Sequence, residues 1–127
     1  MGRLFENSSR KEKAVLEFGE YNEIRLTRGD TARITVDIIN KAEDGKKYEI
    51  QEDDILRFTV KKDYRKPDAA IRKECKGSTV IHIKPEDTEG LEFGNYAYDI
   101  ELETGGGDVY TIIEPSRFEI MKEVSWQ

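Results

Sequence analysis

Gly94-Asn95-Tyr96-Ala97-Tyr98-Asp99-Ile100-Glu101-Leu102 decides the fold class. Tyr96, Tyr98, Ile100 and Leu102 share one parity, and Ala97, Asp99 and Glu101 share the other. A strand sends successive side chains to opposite faces, so this stretch has one buried and one wet face. A helix would split Tyr98 from Tyr96 and Ile100, leaving no continuous apolar stripe.

The same period recurs on both sides of that stretch. Ala32, Ile34, Val36 and Ile38 alternate with Arg33, Thr35 and Asp37. Leu56, Phe58 and Val60 alternate with Arg57, Thr59 and Lys61. Ile81 and Ile83 oppose Val80 and His82, and Phe118 and Ile120 oppose Arg117, Glu119 and Met121. Glu43-Asp44-Gly45, Lys66-Pro67-Asp68, Lys76-Gly77-Ser78 and Gly105-Gly106-Gly107-Asp108 supply turns between these runs. Lys76-Gly77-Ser78 is read as a tight hairpin, and Lys47–Ile50 as a short strand. Pro115-Ser116 should interrupt the chain between strands at 109–113 and 117–124. Pro85 to Gly90 is read as one helical turn: Pro85 pre-sets φ, and Gly90 lets the chain leave. Leu91 would then plug one end of the core.

The expected fold is all-β, an antiparallel immunoglobulin-like β-sandwich of about eight strands over residues 20–127. Residues 1–19 are read as a flexible N-terminal tail or docking arm, with 2–12 as its mobile part. The shared parity of Ile34, Val36, Phe58, Val60, Ile81, Tyr98, Ile100 and Phe118 predicts a common core. Immunoglobulin-like domains often bond a tyrosine hydroxyl to backbone at the corner before a late strand. Tyr96 or Tyr98 is expected to do so within residues 85–92.

The chain has 127 residues, a length that suits one domain. Charged residues make up 38% of it, so the core is lean and the surface densely charged. The net charge of −6 is spread in both signs, without the basic face that nucleic-acid binding requires. No apolar run reads as a secretory signal or a membrane span, so no membrane partner is expected. Cys75, the one cysteine, excludes an intrachain disulfide.

Few constellations suggest chemistry. His82 is the only histidine, which removes multi-histidine zinc sites and histidine-based triads within one chain. Asp99, Glu101 and Glu103 form an acidic stripe on a wet face, with no feature in sequence to split their pKa values as glycoside hydrolysis needs. The Gly105–Gly107 run precedes a strand and so lacks the helix of a phosphate loop. Arg28-Gly29-Asp30 spells an adhesion tripeptide but reads as a turn between two strands. The expectation is a non-enzyme without metal or cofactor.

The order of motifs adds a resemblance. Leu26-Thr27-Arg28-Gly29-Asp30-Thr31 is followed by Phe58-Thr59-Val60-Lys61-Lys62, then by Ile81-His82-Ile83 and Pro85-Glu86-Asp87-Thr88. Leu91, Gly94, Tyr96 and Tyr98-Asp99-Ile100 come next. Val109-Tyr110-Thr111-Ile112-Ile113 and Phe118-Glu119-Ile120 close the series. Over about residues 20–124 this resembles small β-sandwich proteins of phages and prophages of Gram-positive bacteria. It is similar to the amino-terminal domain of the phage baseplate upper protein. The resemblance implies a structural or assembly module of a tail or baseplate, built in the bacterial cytoplasm, whose partners are other phage structural proteins. The alternatives are a carbohydrate- or cell-surface-binding module, with Tyr64 and Trp126 stacking on sugars, and an enzyme whose site is completed between subunits.

Candidate interface residues come from apolar side chains that fall on the wet parity: Ile39, Ile55, Val80, Ile113 and Met121. Ala14, Val15, Leu16 and Phe18 join them as an arm expected to pair with a sheet edge of its own subunit or of a neighbour, which would make a homo-oligomer.

Overall fold

The alternating runs fold as strands in two packed sheets. The computed structural model describes residues 2–6, 16–18, 22–40 and 46–122. Ten strands are described: β1 (Gly2–Glu6), β2 (Leu16–Phe18), β3 (Ile24–Thr27), β4 (Ala32–Asn40), β5 (Lys46–Lys47), β6 (Ile55–Lys61), β7 (Ile71–Lys76), β8 (Val80–Ile83), β9 (Gly94–Glu103) and β10 (Val109–Met121). One helix, α1, spans Pro85–Glu89.

The smaller sheet is built on β4, which pairs with β1, β8 and β5. The larger runs β2-β3-β10-β9-β6-β7. Pairing is antiparallel except between β3 and β10, which run parallel with Phe118 opposite Ile24. The chain is therefore an all-β sandwich, as the alternation predicts. Every residue of the expected common core is buried, and Phe58, Tyr98 and Phe118 stack at its centre. Their ring centroids lie 5.5 to 6.2 Å apart in tilted and edge-on geometries, which suit the aromatic quadrupole.

Four expectations need correction. Residues Gly2–Glu6 belong to the smaller sheet instead of a mobile tail, lying antiparallel to β4. Leu4 joins the apolar core, and Gly2 is buried where a Cβ would come within 2.5 Å of Ile112 Cγ2. Lys76-Gly77-Ser78 is not a hairpin between paired strands, because β7 lies in the larger sheet and β8 in the smaller. The strand read at Lys47–Ile50 reduces to Lys46–Lys47. Pro115 does not divide two strands: β10 runs through it, with register shifts between Thr111 and Ile113 and again between Ile113 and Ser116. An irregular ladder tolerates a residue that lacks an N–H.

α1 closes one end of the sandwich. The Asp87 carboxylate accepts the Lys84 N–H at 2.7 Å and pairs with Lys73 Nζ at 2.7 Å, tying the helix to β7. Leu91 packs on the core below it. Gly90 has φ −88°, a conformation open to any residue, so the helix exit does not require glycine.

Candidate functional site

Three groups of polar residues stand out, and only one faces outward. The first holds the sandwich end together. Thr88, fully buried, accepts the Gly29 N–H on Oγ1 at 2.8 Å. Arg28 lies 4.0 Å over the Phe93 ring and donates to Leu91 O at 3.4 Å. The Arg28-Gly29-Asp30 turn is thus held against the segment after α1, with its arginine engaged. Tyr96 Oη donates to Glu92 O at 2.9 Å, inside the expected window of 85–92. Tyr98 Oη donates to Asn22 O, so its hydroxyl serves a different corner.

A second internal cluster was not legible in sequence. Asp54 is buried between two loops. Its carboxylate accepts from Tyr48 Oη at 2.5 Å, Gln51 N–H at 2.8 Å and Gly105 N–H at 3.2 Å. Burial raises its pKa, but the three hydrogen bonds outweigh burial and hold it below the usual carboxylate range. The hydrogen bond to Asp54 is also the main cause that pushes the Tyr48 phenol up to about 12.

The outward site is a groove of about 310 Å³ on the exposed face of the larger sheet. Strands β6, β7 and β9 supply its floor through their wet parity. Ala97 stands opposite Lys61 and Asp99 opposite Thr59, so small side chains leave a depression between longer ones. Tyr64, 62% exposed in the turn after β6, lines it, as does Pro115 from β10.

Two kinds of charge meet there. Arg57 is fully engaged, with Nε 2.8 Å from Glu74 Oε2 and Nη2 2.7 Å from Glu103 Oε1. Lys61, Arg72, Asp99 and Glu101 form no hydrogen bond or ion pair among the described residues. Asp99 is half-buried; burial first, then the adjacent Glu101, raises its carboxyl pKa, while Lys61 opposes the shift. A half-buried carboxyl in this position is set to accept a donor that the described residues do not provide.

The predicted interface residues do not converge. Ala14 and Val15 lie outside the described residues, as does Trp126. Leu16 and Phe18 belong to β2, which pairs with β3 of the same subunit. Ile39 and Val80 are half-buried on the smaller sheet. Ile55 and Met121 are half-buried on the larger one, in strands separated by β9 and near its opposite ends. Ile113 is buried and not outward, because the register shifts in β10 turn both Ile112 and Ile113 into the core. Among the described residues, the exposed large apolar side chains are instead Tyr64, Phe93, Val109 and Tyr110.

His82 faces Arg33 across β4 and β8. Burial, then Arg33, Lys84 and Lys73, lower its pKa, which keeps the ring neutral at pH 7. Among the described residues no group of three or more His, Cys, Asp or Glu is placed to hold a metal ion. None of their helices is long and apolar enough to cross a membrane.

No family model matches this chain, and no curated protein matches it. Among solved structures it is similar to the extracellular domain of a hybrid two-component system from B. thetaiotaomicron. The identity is 12% and the TM-score 0.52, over 96% of this chain and 15% of that one. The chain thus spans a small part of that protein, and at this identity the likeness shows the β-sandwich fold alone.

Proposed function

We propose that this protein is a non-enzymatic assembly module of a phage or prophage tail or baseplate, and that it contacts other virion proteins through the grooved face of its larger sheet. The observation that carries the reading is the set of unpaired charges Lys61, Arg72, Asp99 and Glu101 around the exposed Tyr64. Charges of both signs beside an aromatic ring suit the rim and anchor of a protein contact. The resemblance in motif order directs that contact towards virion proteins. Several of its quoted residues, among them Arg28, Gly29, Thr88 and Tyr96, serve the rigid end of the sandwich. A rigid scaffold presenting one polar face is what an assembly part requires. The test is prophage induction in a host carrying the gene, followed by quantitative mass spectrometry of purified tail particles. The reading expects the protein in fixed ratio to the major tail proteins; its absence from particles would overturn it.

One observation favours a second reading. Tyr64 beside free carboxylates and Arg72 offers a stacking surface with planar hydrogen-bonding groups, as a sugar site does. Binding of cell-wall oligosaccharides that Tyr64→Ala abolishes would favour a carbohydrate-binding module instead.

A further inference from the structure

The outer edge of β7 carries unpaired backbone groups with a definite phase. Gly77 N–H donates to Asp54 O at 2.8 Å, which continues the β6–β7 register by one pair. Bonded and non-bonded pairs alternate along an antiparallel ladder. Leu56–Cys75 and Phe58–Lys73 are therefore bonded pairs. The N–H and C=O groups of Arg72, Glu74 and Lys76 point away from β6, and no other described strand pairs with them. All three side chains are exposed.

We propose that this edge pairs with the β7 edge of a second copy across a two-fold axis, with Glu74 of each copy opposite Lys76 of the other and the two Cys75 residues face to face. A two-fold contact matches a patch to itself, so the charge pattern selects the register. Setting Glu74 opposite itself opposes two carboxylates and also sets Arg72 against Lys76. Setting Arg72 opposite Glu74 brings two Lys73 side chains together. Like charges directly opposite destabilise a strand pair. The Glu74–Lys76 register has no like-charged pair and gains two opposite-charged ones. Glu74 engages Arg57 through Oε2, which leaves Oε1 for the lysine. Cys75 then occupies a non-bonded pair, where Cα atoms approach to about 4.5 Å, within disulfide reach. This contact borders the groove, which Arg72 and Glu74 also line, but it does not depend on the tail reading.

The experiment uses the full chain. Analytical ultracentrifugation should show a concentration-dependent dimer. Copper-phenanthroline oxidation of the native protein should trap it as a Cys75–Cys75 disulfide, well above the yield in denaturant. Glu74→Lys and, separately, Lys76→Glu should each weaken association about tenfold and remove the cross-link, with unchanged circular dichroism. The double exchange Glu74→Lys/Lys76→Glu should restore both. A monomer at all concentrations, or a dimer whose Cys75 residues do not cross-link, would overturn the proposal.

Discussion

Thr88 Oγ1 accepts the Gly29 N–H at 2.8 Å, joining segments that lie 59 residues apart. One buried hydroxyl thus fixes the turn before β4 to α1. Thr88→Val keeps the volume but leaves the Gly29 N–H without that acceptor. It should cost about 1–3 kcal/mol, whereas Thr88→Ser should cost less, as read from denaturant midpoints. Equal midpoints for the two variants would show that the bond contributes nothing.

Tyr96→Phe isolates one hydroxyl. The ring that lies 4.6 Å beneath Lys62 Nζ is retained, and only the bond to Glu92 O is lost. The expected cost is about 0.5–1.5 kcal/mol. Tyr98→Phe should cost at least as much, because Tyr98 is more deeply buried and its acceptor, Asn22 O, loses its partner at another corner.

The Tyr48–Asp54 pair predicts losses of stability at both extremes of pH. Asp54 has a folded pKa below its unfolded value of about 3.9. Its contribution is complete above that value and is lost as pH falls through the folded pKa. Tyr48 has a folded pKa raised to about 12 from 10.0. Its contribution is complete below pH 10 and is lost as pH rises towards 12. Asp54→Asn should lower stability at pH 7 by about 1–3 kcal/mol and flatten both limbs, which urea titrations across pH would read.

Gly90→Ala should stabilise the protein by about 0.4–1 kcal/mol. The native φ of −88° suits alanine, and a Cβ there meets no atom within 4 Å. A lower melting temperature for this variant would contradict the geometry of the helix exit.

Alternation made the core legible wherever a strand had one wet face and a regular ladder. Phe58, Tyr98, Ile100 and Phe118 were placed by parity alone, and Pro85 marked α1. Ile113 was misplaced because a register shift reverses parity, and nothing local to Thr111-Ile112-Ile113 announces one. Asp37 has wet parity yet is buried, with Lys47 Nζ 2.9 Å from its carboxylate. Asp54 read as part of an acidic turn, since its partners Tyr48 and Gly105 meet it only after folding. β1 escaped because its pairing with β4 joins segments about 30 residues apart, which the short run Gly2–Glu6 does not announce. The groove follows from which strands lie side by side, information that a single strand's pattern does not contain.

The central claim is that the grooved face is an assembly surface, and incorporation into particles tests it most directly. Tyr64→Ala/Arg72→Glu changes two exposed groove residues and should leave the melting temperature within about 2 °C of the intact protein, as surface substitutions do. Tail particles from induced cells carrying this variant should contain at least about tenfold less of it than particles from wild-type cells, a loss equivalent to about 1.4 kcal/mol of contact energy. Incorporation of the stable variant at the wild-type ratio would contradict the account.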